Sequence, residues 1–198
     1  MVLDVNGPRR VPKATKSDRP RHDLASHAAT VDARESVKVE HSITIDAPRD
    51  TLYAFWHDFT NLPRFMKHIV SVQLRDDRHS HWTMSLPAGR RIEWDSEIVN
   101  DVPNELIAWK TVGASDVAHA GSVHFDSTDG RDTRGTGGTK VRLVMDYEPP
   151  GGRPGHMLSK LFGVSPEQMI RDDLQRLKQL AESGEIGTPD PKSGRTKR

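Results

Sequence analysis

The chain has 198 residues, 29 basic and 28 acidic side chains and no cysteine. Its length suits one domain with flanking tails, and the missing cysteines exclude disulfides, thiolate metal sites and cysteine nucleophiles. Nearly cancelling charge supplies no global field for nucleic acid or an anionic membrane.

Residues 1–36 mix Pro, Arg, Lys, Asp and His without apolar periodicity and are expected to form a disordered basic tail. Its cations include Arg9, Arg10, Lys13, Lys16, Arg19 and Arg21; solvation alone accounts for them, and a weak contact with acidic lipid or nucleic acid is the alternative. No apolar segment follows them as a secretory signal requires, and no run approaches the roughly 20 residues that cross a bilayer. A cytoplasmic location is therefore expected.

From Val37 to Ile45 the residues alternate, with Val37, Val39, Ile43 and Ile45 on one face, which predicts a strand. Pro48 stands where a helix can begin, because a first turn does not use its missing N–H. Leu52, Phe55, Trp56 and Phe59 follow at helical spacing, and Asn61-Leu62-Pro63 marks a second short helix. Strands are predicted at 69–74, 80–86, 90–100, 105–111, 122–127 and 139–147, most of them joined by short turns, as antiparallel neighbours are. The glycine-rich 129–138 reads as a hairpin loop. It lacks phosphate-loop spacing and precedes a strand, whereas a phosphate loop opens a helix.

The pattern then turns helical. Residues 155–162 can form two turns. Ser165, Pro166 and Gln168 combine an N-cap, a first-turn proline and most of a capping box. Ile170, Leu174, Leu177 and Ala181 form one apolar stripe, and Gly184 is set to stop the helix. A one-striped helix after a sheet predicts a two-layer α+β domain at 37–186, with 187–198 as a second polar tail.

Several stretches carry a family likeness: Ile43-x-Ile45-x-Ala47-Pro48, Tyr53-x-Phe55-Trp56-x-Asp58-Phe59-x-Asn61-Leu62-Pro63-x-Phe65-Met66, Ser80-His81-Trp82, Glu93-Trp94-Asp95, the run Pro103 to Trp109, Gly121-Ser122-Val123-x-Phe125 and the final helix. In these residues and in element order the chain resembles the START-like (SRPBCC) superfamily, near its polyketide cyclase/dehydrase-like members and the coenzyme-Q-binding branch. The resemblance implies a helix-grip fold: a seven-stranded curved antiparallel sheet, two short helices after the first strand, and a long C-terminal helix across the sheet. It also implies an internal cavity for a hydrophobic small molecule or lipid, and no cofactor. The expected cavity residues are Trp82, Met84, Trp94, Ile98, Trp109, Phe125, Leu143, Met145, Met169 and Leu177, with Tyr147 also turned inward; for each, ordinary core packing is the competing account.

The leading expectation is binding without catalysis. The rival is a cyclase or dehydratase in which polar groups shuttle protons inside the cavity, for which His41, Ser96 and Tyr147 are the candidates. A third reading is an interaction module whose tails touch a membrane surface. His79 and His81 share a strand face at a zinc-compatible spacing, but they fall on the outer face without a third ligand, and His119 and His124 are no better placed. No metal site is expected. Asp76-Asp77 reads as turn chemistry and Asp172-Asp173 as helix surface.

Overall fold

A computed structural model describes residues 36–115, 117–128, 137–148 and 156–187. Residues 1–35 and 188–198, most of the glycine-rich loop and the Pro149–Gly152 breaker lie outside the described residues.

Seven strands form one antiparallel sheet: β1 (Val37–Ile45), β2 (Ile69–Leu74), β3 (His79–Ser85), β4 (Arg91–Val102), β5 (Leu106–Val112), β6 (Ala118–Ser127) and β7 (Thr139–Glu148). Their order is β1-β7-β6-β5-β4-β3-β2, so β2 to β7 are a meander and β1 joins the far side of β7. Helix α1 (Arg49–His57) and a 3-10 helix (Phe59–Arg64) carry the chain from the β1 edge to the β2 edge. Two more helices, α2 (His156–Phe162) and α3 (Pro166–Glu182), end the domain. This is the helix-grip arrangement.

Two details differ from the sequence-based expectation. The second short helix is a 3-10 helix, opened by Asp58, whose Oδ1 accepts the Thr60 N–H at 3.1 Å and the Thr60 hydroxyl at 2.6 Å. Strand β6 starts at Ala118 and not at Ser122. The added stretch Ala118-His119-Ala120-Gly121 has no bulky alternation to signal a strand, and pairing with β7 holds it in the ladder. Gly121 is small for a reason: a Cβ there would lie 2.5 Å from Trp109 Cζ2 and 2.7 Å from Met145 Sδ.

Register breaks between Ile69 and Ser71, and between Ile98 and Asn100, let the sheet bend. Helix α3 closes over the curved sheet with its stripe of Met169, Ile170, Leu174 and Leu177 buried. Its C-terminal half is pinned to the β1 edge: Lys178 Nζ donates to the Thr44 carbonyl at 2.7 Å, and Glu182 accepts the Asp46 N–H at 2.9 Å. Arg176 Nε donates to the Phe65 carbonyl at 2.7 Å, tying the helix to the end of the 3-10 segment. Among the described residues no helix is long and apolar enough to cross a membrane.

Candidate functional site

With its C-terminal half held against β1, α3 leaves a gap beneath its first two turns. A void of about 70 Å³ lies there, partly open to the surface. Pockets that hold drug-sized ligands measure roughly 300–1,000 Å³, so a guest of that size must push the walls apart. The walls suit this: Met66, Met84, Met145 and Met169 all line the void, and unbranched thioethers repack at little cost.

Aromatic rings form the floor. Trp82 and Trp94 stack with centroids 5.7 Å apart, and Phe59 meets Trp82 and Trp109 edge-on at 5.4 and 5.7 Å. Of the sequence-predicted cavity residues, Trp82, Met84, Trp94, Trp109, Leu143, Met145 and Met169 line the void, as does Tyr147.

Ile98, Phe125 and Leu177 are buried elsewhere. Ile98 sits at the β4 bulge, where its N–H donates to the Arg78 carbonyl at 2.8 Å, and it faces a separate surface groove. That groove is larger, about 260 Å³, and mixes the charged and polar His57, Asp58, Asp76, Asp77, Arg78 and His79 with Phe59, Leu74 and Ile98. Phe125 lies edge-on to Tyr53 and Trp56 of α1, which covers it. Leu177 belongs to the half of α3 already packed against β1.

Two of the three catalytic candidates also lie away from the void. His41 is half-buried on β1 opposite Leu143. Ser96 is fully buried, and its hydroxyl donates to the Lys110 carbonyl at 3.0 Å. Cross-strand register explains Ser96: it stands in a polar row in which Ser80 faces Ser96, Ser96 faces Thr111, and His119 faces Tyr147.

The void's polar end is an arc of four side chains. Trp94 meets His119 edge-on at 5.1 Å, and the His119 and Tyr147 rings are 6.1 Å apart. Asp173 of α3 completes the arc, near enough for its charge to act on the Tyr147 phenol. Burial pushes His119 down to about 4, which keeps it neutral at pH 7. Its Nδ1 lies 3.1 Å from Thr111 Oγ1, and Nε2 has no partner among the described residues. Burial also raises the Tyr147 phenol well above its ordinary value, and it pushes Asp173 up to about 6 against the opposing pull of Arg176, its ion-pair partner. The Trp94 indole N–H is buried without an acceptor. An unpaired buried donor calls for a water or a ligand.

His119 and Asp173 are the functional candidates that sequence reasoning missed. Asp173 belongs to the buried stripe, being 7% exposed, and not to the helix surface. Its position one residue before Leu174 and three after Ile170 is the signal that was available. His119 lay in a stretch with no strand pattern.

On the opposite side of the sheet His81 Nδ1 meets Asp95 at 2.8 Å, and His79 Nδ1 meets Asp76 at 3.0 Å. At the surface, Tyr53 donates to Asp101 at 2.5 Å and His57 Nε2 lies 3.0 Å from the same carboxylate, pinning α1 to β4. Among the described residues no three His, Asp or Glu side chains are grouped to hold a metal.

A curved antiparallel sheet gripping a helix over a partly apolar void is a START-like fold. Residues 45–175 match the family model for polyketide cyclase / dehydrase and lipid transport, and the chain belongs to that family. It is similar to an uncharacterized 17.2 kDa protein of Streptomyces lincolnensis, 34% identical over 73% of this chain and 89% of the other. It is also similar to a solved structure from Deinococcus radiodurans, 33% identical over 75% of this chain and 98% of that one, with a TM-score of 0.59. Two further solved structures are alike in fold. A START superfamily protein from Mycobacterium smegmatis has a TM-score of 0.60 and is 14% identical, over 74% of this chain and 97% of that one. The di-domain ARO/CYC protein BexL of the BE-7585A biosynthetic pathway has a TM-score of 0.57 and is 23% identical, over 76% of this chain and 48% of that one.

Proposed function

We propose that this protein shelters a hydrophobic small molecule between its sheet and α3. The observation that carries the reading is the void itself: apolar and methionine-rich walls, with the unpaired Trp94 N–H at the polar end. Family membership supports it in general terms. Native mass spectrometry of protein purified from its own host, with titration of an apolar fluorophore, tests it. A co-purified small molecule, or saturable fluorescence that the molecule displaces, is expected. Protein that emerges without a guest and takes up no fluorophore overturns the reading.

A second reading, a cyclase or dehydratase, is favoured by one observation. His119, Tyr147 and Asp173 converge on a single pocket, and proton shuttling requires such convergence. The fold likeness to BexL is compatible with it. Incubation with a reactive poly-ketone thioester, followed by mass spectrometry for loss of water, tests this reading. Turnover lost in both Y147F and H119Q, by far more than any weakening of guest binding, supports it; no turnover by the unaltered protein sinks it.

A further inference from the structure

We infer that the cavity selects an apolar molecule whose polar end is uncharged and accepts hydrogen bonds, such as a ketone or ether oxygen, and that it rejects carboxylates. This deepens the binding reading and rests on it.

The donors of the polar arc are idle. The Trp94 indole N–H has no acceptor, and an indole nitrogen can only donate. The Tyr147 hydroxyl has no hydrogen-bond partner among the described residues and lines the same void. A ligand oxygen that reaches the Trp94 N–H satisfies a donor that burial otherwise leaves short.

The arc supplies no free cation for an anionic head. Among the described residues the titratable groups facing the void are His68 from the segment before β2, His119 from β6, Tyr147 from β7 and Asp173 from α3. Arg176, one turn further along α3, is not in the wall. Its guanidinium is committed to the Asp173 carboxylate and to the Phe65 carbonyl. Lys67 acts on Asp173 through its backbone N–H, and its side chain is exposed. A ligand carboxylate would therefore lose its water beside another carboxylate, with no uncommitted counter-charge in the wall among the described residues. A carbonyl oxygen meets no such penalty.

Calorimetric titration of the full chain with two probes of equal chain length, the methyl ketone decanone and decanoate, tests this. At pH 8 histidines as a class are neutral, and decanone should bind at least roughly tenfold more tightly, about 1.4 kcal/mol. D173N should narrow the gap by improving decanoate. Y147F and W94F should weaken decanone about three- to tenfold, the range of one lost hydrogen bond. The comparison on the unaltered protein is decisive even if D173N does not fold. Fluorophore uptake with no preference for the ketone overturns the selection alone. Failure of both probes and of the fluorophore removes the binding reading as well.

Discussion

His119 and Asp173 share one wall, and burial drives their protonation in opposite chemical senses: the imidazole is held neutral and the carboxyl is pushed toward its acid form. Each carries a stability consequence. Unfolded, His119 holds a proton below about 6.5; folded, it does so only below about 4. In that window the unfolded chain binds more protons, so this group makes stability rise with pH. Asp173 releases its proton near 3.8 when unfolded and near 6 when folded. Here the folded chain binds more protons, so stability falls as pH rises from about 4 to about 6. A displacement of this size corresponds to roughly 3 kcal/mol for either group, and the two contributions offset each other in the intact protein. H119Q should therefore unmask a stability that declines between pH 4 and 6, and D173N one that climbs. Urea unfolding at several pH values, read as the difference between variant and unaltered protein, checks both. Parallel curves for the two variants would contradict the assignment.

At the scale of the element, α3 matters because it bounds the void and is anchored at both ends. Its start is held by Ser165, whose Oγ accepts the Gln168 N–H at 3.1 Å. The box is not reciprocal: Gln168 Nε2 donates instead to Asp172 at 2.7 Å, a bond within the exposed face. Its end is turned by Gly184 at φ +82, where the Gly184 N–H reaches the Ala181 carbonyl at 3.2 Å. Because the cap is single, S165A should cost about 1 kcal/mol. The measurement is a lower urea midpoint with an unchanged slope. A changed slope would mean that α3 had detached from the sheet and opened the void, a different event from loss of a cap.

At the scale of the molecule, β1 pairs along its whole length with β7, joining the two ends of the domain. This closure gives the meander its second edge and gives α3 a strand to lie against. The described walls of the cavity fall within residues 36–187. A fragment of those residues should unfold cooperatively with a midpoint within about 2 °C of the full chain, less than roughly 1 kcal/mol. Thermal scans of the two proteins side by side decide this. A markedly lower midpoint would assign the flanking segments a share in the fold.

How much could be read in advance follows from the range of the forces involved. Period-two alternation on β1 and β4, the Ser165 cap, the Gly184 stop and the stripe on α3 are local signals, carried by side chains a few residues apart, and they were legible. So was the aromatic floor, because large apolar side chains at alternating positions announce an inner face. The polar arc was not legible. His119 acquires its place only through pairing with Tyr147 on another strand, and Asp173 reads as one of two surface acids until α3 is laid on the sheet. Nor does alternation tell a residue that lines a void from one that fills a core. Ile98 is turned aside by a bulge, Phe125 is covered by α1 and Leu177 is pressed on β1. The sequence by itself determined a helix and a sheet with faces that must meet; where their surfaces fail to touch, and which polar groups edge that gap, depends on long-range register and docking angle, which only the tertiary structure decided.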